Sequence, residues 1–211
     1  MLTIFLSPKG GSGTTTIAAA HALAAADTHG RSVLIDLCGD APAVLGMGEP
    51  DSPGMNDWLA ENQTAGAAEL LALGNAQGGV LVIHRGARWV NGAPRWEALL
   101  ATVETWDFPV VIDAGTHFVP DVLRENADRT LMVTRQCYLA LRRAARLPRA
   151  NGIVLVKEAG RVLTAKDVES VLGTGIVATV PIDPSIARAV DAGVLPQRHG
   201  ELFSACISSI N

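Results

Sequence analysis

The chain has 211 residues, of which 48% are apolar, 18% are charged and 4% are aromatic, and its formal net charge is −4. This length and apolar content suit one α/β domain with a sizeable core, and the acidic balance excludes a general electrostatic attraction to nucleic acid or anionic lipid. The three cysteines, Cys38, Cys137 and Cys206, form no C-x-x-C pair, which argues against a disulfide framework and a zinc site and favours a reducing cytoplasm.

Short β-rich runs alternate with helix-like runs along the chain. Strands are predicted at Leu2–Leu6, Val33–Asp36, Val80–His84, Val110–Asp113, Leu131–Thr134, Ile153–Val156 and Ile176–Val180. Helices are predicted near Thr14–Ala26, Gly54–Glu61, Ala65–Leu73, Pro94–Thr105, Pro120–Asn126, Tyr138–Leu147, Ala165–Leu172, Pro184–Ala192 and Glu201–Ser208. The stretch Gly39–Pro53 is rich in Gly, Pro and Asp and is predicted to be a long loop with mobile parts.

This alternation predicts a single α/β domain covering residues 1–211, with a doubly wound, mostly parallel sheet and helices on both faces. Ligands of such sheets bind outside the carboxyl ends of the strands. Four segments of interest fall at predicted strand ends: Ser7–Thr16, Asp36–Asp40, Asp113–Thr116 and Pro181–Pro184.

The first of these segments reads Ser-Pro-Lys-Gly-Gly-Ser-Gly-Thr-Thr-Thr and joins a predicted strand to a predicted helix. Such a loop can wrap backbone N–H groups around a phosphate at a helix N-terminus. The phosphate-loop pattern G-x-x-x-x-G-K-[ST] expects Lys after its second Gly, but Thr14 follows Gly13, and the loop's lysine is Lys9. The predicted phosphate-binding residues are Gly10, Gly11, Ser12, Gly13, Thr14, Thr15 and Thr16. The alternative is a tight strand-to-helix turn with a Ser/Thr cap.

Two apolar strands end in a carboxylate, at Asp36 and at Asp113. Carboxylates at this edge of a sheet suit direct or second-sphere binding of Mg²⁺, to which the Thr15 hydroxyl would contribute. An Asp at a strand end is also an ordinary turn former, so the hypothesis of a magnesium site with Thr15, Asp36 and Asp113 depends on the glycine loop beside them.

The loop Lys9-Gly10-Gly11-Ser12-Gly13, followed by Thr-Thr, resembles the deviant phosphate loop K-G-G-x-G-K-[ST]-T of the ParA/MinD family of partitioning, division-site positioning and pilus-localising ATPases. The resemblance extends in order over the chain, through Val33–Asp36, Val110–Asp113 and Ala127–Thr134. It ends with Asp167–Gly173 and Val180–Ala189, which are similar to MinD-type proteins in particular.

The resemblance implies a P-loop fold that binds ATP and Mg²⁺ and works as a homodimer in which Lys9 reaches the partner's phosphates. It implies that the segment Pro181–Pro184, which includes Pro181 and Asp183, lines the adenine pocket through backbone contacts. It further implies that the dimer binds a surface such as DNA, membrane or a polar scaffold, and that a partner protein stimulates hydrolysis.

Three positions depart from the family's pattern. Thr14 replaces the family's lysine that neutralises phosphate charge, and Cys38 replaces the family's Asp that orients the attacking water. Lys157 stands near the position where the family has its adenine-contacting Asn. Because phosphoryl transfer depends on positioning and charge stabilisation, we expect a nucleotide-dependent positioning or scaffold switch with weakened or absent hydrolysis. The alternatives are a slow ATPase in which Lys9 and Asp40 cover the missing roles, and an interaction module that binds no nucleotide. Cys38 itself is interpreted as a small buried residue, with a reactive thiol as the alternative.

Peripheral features give weaker indications. The basic residues Arg142, Arg143 and Arg146 could contact DNA, but a solvated helix face is the favoured interpretation. No Lys or Arg follows Arg198, so the C-terminal segment is predicted to be a packing helix, which argues against direct membrane binding. The five histidines show no metal-ligand spacing, and His117, which follows a strand end, is interpreted as a core or surface residue.

Overall fold

The computed structural model describes residues 1–60, 66–87, 94–207 and 210. Its strands are β1 Leu2–Leu6, β2 Ser32–Asp36, β3 Asn75–Gln77, β4 Val80–Ile83, β5 Val110–Gly115, β6 Arg129–Arg135, β7 Gly152–Lys157 and β8 Ile176–Pro181. Its helices are α1 Thr14–His29, α2 Ala41–Val44, α3 Met55–Ala60, α4 Ala67–Ala72, α5 Trp96–Val103, α6 Asp121–Asn126, α7 Tyr138–Ala144, α8 Ala165–Leu172, α9 Pro184–Asp191 and α10 Leu195–Ile207.

The strands form one sheet in the order β3-β4-β2-β5-β1-β6-β7-β8. Neighbouring strands are parallel except for β3, which runs antiparallel to β4 at the edge. The α/β fold with a mostly parallel, doubly wound sheet is therefore confirmed. β1, β2 and β5 are neighbours in the middle of the sheet, so the segments that follow them come together at one edge.

Side chains of the central strands alternate between the two faces of the sheet, as the period of two in a strand requires. In β1, Leu2, Ile4 and Leu6 face a core that also contains residues of α3, α4, α5 and α6. Phe5 faces the opposite core, with α1, α2 and α10. Helices therefore cover both faces of the sheet, as the sequence predicts.

Three elements differ from the sequence-based expectations. The strand β3 was not predicted because Asn75, Ala76 and Gln77 are not typical strand residues; the turn at Gly78–Gly79, where φ is +59° and +80°, brings them against β4. The predicted loop Gly39–Pro53 contains helix α2, and α10 begins at Leu195 rather than at Glu201. Three predicted helix boundaries lie outside the described residues, at Glu61, Ala65 and Ser208.

Helix α1 is buried along much of its length between the sheet and α10. Alanines on several sides of the helix allow this close approach, and the Ser32 hydroxyl donates to the carbonyl of Ala22 at 2.7 Å. At the far end, His199 Nε2 of α10 lies 2.8 Å from the Asp27 carboxylate. Because α1 is held on both sides, the glycine loop at its N-terminus has a fixed support.

The side chain of His21 lies in the core beneath α1. It is 1% exposed, packs edge-on against Phe5 with ring centroids 5.4 Å apart, and neither ring nitrogen makes a hydrogen bond within the described part of the chain. Burial, assisted by the positive charge of Arg129, lowers the pKa of His21 from 6.5 to about 4. The native state therefore holds a neutral imidazole.

The pH dependence of stability should report this buried histidine. In the folded state His21 stays neutral until the pH falls to about 4, whereas in the unfolded chain it becomes protonated below about pH 6.5. Between those values we expect wild type to lose roughly 1.4 kcal/mol of unfolding free energy per pH unit relative to His21→Leu. Urea unfolding of both proteins from pH 7.5 to 4.5 measures the difference, with His29→Ala, on the exposed end of α1, as the control. Parallel curves for wild type and His21→Leu would contradict it.

Candidate functional site

The segments that follow β1, β2 and β5 surround a cavity of about 700 Å³ at the carboxyl edge of the sheet. Its walls are formed by the glycine loop, the turn after β2, the turn after β5 and the end of α9. The lining residues are Lys9, Gly10, Gly11, Ser12, Gly13, Thr14, Thr15, Thr16, Cys38, Asp40, Ala43, Val44, Gly115, Thr116, His117, Val190 and Asp191. Each predicted phosphate-binding residue, together with Lys9 and Asp40, therefore lies at one site.

Internal hydrogen bonds hold the glycine loop in shape. The hydroxyls of Ser7 and Ser12 both donate to the carbonyl of Lys9, at 2.8 and 2.7 Å. Gly11 and Gly13 have φ of +75° and +82°, a left-handed conformation that side chains other than glycine rarely adopt. Gly13 accepts the first helical hydrogen bond of α1, from the N–H of Ile17. The first turn of α1, whose N–H groups have no partner within the helix, therefore starts at the cavity wall.

The three threonines of the loop have different surroundings. Thr14, in the position of the pattern's lysine, is 7% exposed, while Thr15 and Thr16 are half-buried. Among the described residues that line the cavity, Lys9 is the only Lys or Arg, and its side chain lies at the exposed rim. The cavity wall therefore offers backbone dipoles and hydroxyls to an anion, with little cationic charge from this chain.

The carboxylate of Asp36 shapes the turn after β2. Its Oδ1 accepts hydrogen bonds from the N–H groups of Cys38 and Gly39, both at 2.8 Å, and its Oδ2 accepts one from Ala41 at 3.0 Å. Burial raises the pKa of Asp36, and these backbone donors oppose the rise. Asp36 is fully buried with both oxygens engaged, so its main role in the structure is to position Cys38 and the start of α2.

Asp113 lies beside Asp36 in the register of β2 and β5. Its Oδ1 accepts the N–H of Gly115 at 3.0 Å. The Thr15 hydroxyl is near enough to the carboxylate to lower its pKa, although no described donor lies within hydrogen-bonding distance of the buried Oδ2. Burial and the negative charge of Asp36 raise the pKa of Asp113 to about 6, against the opposing effects of the Thr15 hydroxyl and the Gly115 N–H. An oxygen without a partner in the interior is costly, and a cation or a cation-bound water beside it would remove that cost.

Cys38 lies between these carboxylates and the cavity. Its Sγ is 3.6 Å from the carbonyl oxygen of Asp113 and 3.8 Å from Nδ1 of His117. Gly115 makes room for the thiol, since a Cβ there would lie 2.3 Å from Sγ. Burial, and then the charge of Asp113, raises the pKa of the Cys38 thiol. The thiol is half-buried rather than fully buried, and its raised pKa argues against the reactive-thiol alternative.

A second cavity, of about 390 Å³, adjoins the first along Gly11–Gly13 and α9. Its lining includes Val156, Val180, Pro181, Ile182 and Asp183, and it forms a largely apolar slot of a size that suits a planar base.

The predicted adenine segment thus lines this slot. Asp183 is occupied as the cap of α9, where its Oδ1 accepts the N–H of Ser185 at 2.7 Å. Lys157 contributes its carbonyl to the N–H of Ile182, but its side chain is not part of the slot's described lining.

The exposed basic residues Arg142 and Arg143 of α7, and Arg146 just beyond it, line neither cavity and make no ion pair within the described part of the chain. Arg135, also part of the basic run, lines the second cavity and pairs with Glu158 at 2.7 Å. The solvated-face interpretation is consistent with this arrangement, and DNA contact by these arginines stays a prediction. Among the described helices, none has the length and apolar character needed to cross a membrane.

The residues at the site fit a nucleotide phosphate with Mg²⁺. The glycine loop presents N–H groups at a helix N-terminus, and Thr15 lines the cavity beside it. The Asp113 carboxylate lies within 4.8 Å of the Cys38 sulfur, and its Oδ2 has no hydrogen-bond partner among the described residues. Asp36 and Asp113 are themselves fully buried and do not form the described cavity wall, so toward a metal in the cavity they would act from the second sphere.

No family model matches the sequence, and a search of curated proteins finds no match. Solved structures do match over nearly the whole chain. A ParA family ATPase from Chlorobium tepidum TLS has a TM-score of 0.81 at 20% identity, covering 100% of this chain and 97% of its own. The MinC:MinD cell division protein complex of Aquifex aeolicus gives 0.72 at 16% identity, covering 99% and 93%. The septum site-determining protein MinD of Pyrococcus horikoshii OT3, complexed with Mg-ADP, gives 0.69 at 17% identity, covering 99% and 93%.

These identities are low, so what they establish is the fold. The matches span both chains almost completely, and they agree with the resemblance carried by the glycine loop and the strand-end carboxylates. The chain has a ParA/MinD-like fold.

Proposed function

We propose that this chain is a ParA/MinD-like nucleotide-dependent positioning switch that binds Mg-ATP and Mg-ADP and hydrolyses ATP weakly or not at all. The observation that carries the proposal is the pair of adjoining cavities, one walled by the glycine loop and one by Pro181–Asp183. Together they suit the phosphates and the base of one nucleotide. MinD of Pyrococcus horikoshii, which shares the fold, was solved with Mg-ADP.

Nucleotide binding would depend on the loop backbone. Gly10, Gly11 and Gly13 allow a phosphate to approach the main chain closely, and the N-terminus of α1 favours its negative charge. Bound Mg²⁺ would neutralise phosphate charge, with Thr15 as a candidate ligand and Asp36 and Asp113 behind it. None of these contributions requires a lysine at position 14.

Hydrolysis, in contrast, lacks two groups at this site. The Thr14 hydroxyl carries no charge to stabilise the transferring phosphoryl group, and the protonated Cys38 thiol is a poor orienter for an attacking water. Such groups act mainly in the transition state, which each stabilises by on the order of several kcal/mol. We therefore expect turnover to suffer far more than affinity.

A homodimer would supply positive charge that the phosphates do not receive from their own chain. Lys9 lies at the exposed rim of the cavity, where its ammonium group can reach beyond its own chain. In the proposed dimer each Lys9 contacts the phosphates bound by the other subunit. A protein partner or cargo would then recognise the nucleotide-bound dimer, as MinC is found in complex with MinD in Aquifex aeolicus.

A slow but working ATPase is the second candidate. Asp40 lines the same cavity as Cys38, and its carboxylate makes no capping hydrogen bond to α2, so it is available to orient a water. The third candidate, an interaction module without nucleotide, would be favoured if calorimetry detected no binding of Mg-ATP or Mg-ADP at millimolar concentration.

Restoring the missing lysine should strengthen nucleotide binding. A charged hydrogen bond of about 1.5–3 kcal/mol predicts that Thr14→Lys binds Mg-ATP roughly tenfold or more tightly than wild type. Titration calorimetry measures both affinities. Thr28→Lys adds the same charge at the exposed far end of α1 and should leave the affinity unchanged; equal gains in both variants would show that the effect is not local to the loop.

Restoring both catalytic groups should raise turnover. The double variant Thr14→Lys/Cys38→Asp is expected to release phosphate from ATP at least about tenfold faster than wild type, since both changes stabilise the transition state. Steady-state phosphate release with Mg-ATP measures this, with Cys137→Ser as a control for loss of a thiol. Wild-type turnover that equals the double variant and is abolished by Asp40→Asn would favour the slow ATPase instead.

Removing Lys9 should affect assembly as well as binding. Because Lys9 is proposed to act across the dimer, Lys9→Ala should abolish ATP-dependent dimer formation in sedimentation velocity and weaken ATP binding at high protein concentration. Lys166→Ala removes the same charge from an exposed position on α8 and should dimerise like wild type. An unchanged ATP-dependent dimer in Lys9→Ala would contradict the proposed contact.

A further inference from the structure

Arg135 places a cation at the wall of the apolar slot that suits the base of a nucleotide. It is the last residue of β6, and among the described residues that line the slot it is the only Lys or Arg. The lining also includes two acidic residues, Asp183 and Asp191. A negatively charged group bound at the slot would therefore be repelled by two side chains and attracted by one, which is Arg135.

The sheet brings Arg135 beside the glycine loop. The last residue of β1, Leu6, lies opposite Met132 of β6. β6 continues for three more residues, a rise of about 10 Å, and so runs alongside the loop that follows Leu6. Leu131 and Val133 belong to the core beneath α1, and Arg135, two positions further along the strand, lies on the same face. This is the face on which α1 begins.

An ion pair holds Arg135 in this position. Its Nη2 donates to Oε2 of Glu158 at 2.7 Å, and Nε of Arg161 donates to the same oxygen at 2.7 Å. Hydrogen bonds from Arg161 and Arg135 lower the pKa of Glu158, so its carboxylate is ionised at neutral pH. Because two guanidinium groups share one carboxylate, the cluster keeps an excess of positive charge.

The other terminal nitrogen of Arg135 is available to a ligand. Nη1 makes no hydrogen bond within the described part of the chain, and unlike Nε it is not enclosed by protein. The side chain as a whole is 32% exposed. A group bound beside Arg135 can therefore approach Nη1 without displacing Glu158.

The two cavities meet along the glycine loop. Gly11, Ser12, Gly13 and Thr16 line both of them, whereas Arg135 lines the slot alone. With a base in the slot and the terminal phosphates in the larger cavity, the ribose and the α-phosphate would lie at this junction. The α-phosphate is thus the charged group of a nucleotide that would come nearest to the slot.

We propose that Arg135 contacts the α-phosphate of the bound nucleotide and supplies positive charge from the same chain. The inference rests on the proposed nucleotide binding and adds to it a residue outside the glycine loop. Because the α-phosphate is common to ATP, ADP and AMP, this contact favours every such nucleotide over the nucleoside. It does not distinguish ATP from ADP, so it would help the chain to retain ADP as well as ATP.

Titration calorimetry with Mg-ADP tests the contact. Arg135→Met keeps a long apolar side chain but removes the charge, and it should bind Mg-ADP roughly tenfold more weakly than wild type. Arg135→Lys keeps the charge and should bind within about threefold of wild type. Two matched controls should bind like wild type: Arg161→Met, which removes the other partner of Glu158, and Arg142→Met, on the exposed face of α7.

Adenosine gives a readout that a purely structural role of Arg135 would not leave unchanged. It lacks the α-phosphate, so its affinity, measured by ligand-observed NMR at millimolar concentration, should be the same for wild type and Arg135→Met. Circular dichroism checks that each variant is folded. If Arg135→Met is not folded, Arg135→Gln replaces it in both measurements.

Equal Mg-ADP affinity in wild type and Arg135→Met overturns the contact and leaves the proposed function standing. An equal loss of affinity for adenosine and for Mg-ADP also overturns it, because the interaction removed is then not with a phosphate. Wild type that binds no Mg-ADP contradicts the proposed nucleotide switch itself, and this role of Arg135 with it.

Discussion

Two carboxylates buried side by side determine the electrostatics of the candidate site. Asp36 and Asp113 lie opposite each other in the register of β2 and β5, and both are fully buried. Backbone N–H groups satisfy Asp36 completely but leave one oxygen of Asp113 without a partner. Burying negative charge in this way is costly unless the charge is compensated, so the floor of the cavity favours the arrival of a cation.

The glycine loop has the complementary property. It is shaped to receive an anion through the main chain, yet it has Thr14 where an own-chain lysine would stand. In the proposed switch, positive charge would therefore come from elsewhere, either from Mg²⁺ or from Lys9 of a second copy. Such a site would hold a nucleotide and change assembly with it, while the chemistry of hydrolysis is poorly supported.

The fold and most of the site could be predicted from the sequence because the signals are local. The strand β1, the glycine loop and α1 follow each other directly, and each parallel strand is a short apolar run between helices. The edge strand β3 could not be predicted, since its residues are polar or small and its pairing with β4 depends on a two-glycine turn.

Features built from distant segments were also missed. The contact between Cys38 and His117 joins residues separated by 79 positions and depends on the order of β2 and β5 in the sheet. The three backbone bonds to Asp36 depend on the conformation of the turn and on α2, which the composition of Gly39–Pro53 does not reveal. The sequence pointed to residues that line the candidate cavity, whereas the contacts that these residues make depend on the tertiary structure.

The central claim is that a main-chain cradle grips a nucleotide without an own-chain lysine. A crystal structure grown with Mg²⁺ and a non-hydrolysable ATP analogue tests it most directly. The account predicts phosphates within the loop Gly10–Thr16 and the base in the slot beside Pro181–Asp183. Crystals at saturating analogue in which the loop holds no phosphate, or in which the analogue binds elsewhere, would contradict it.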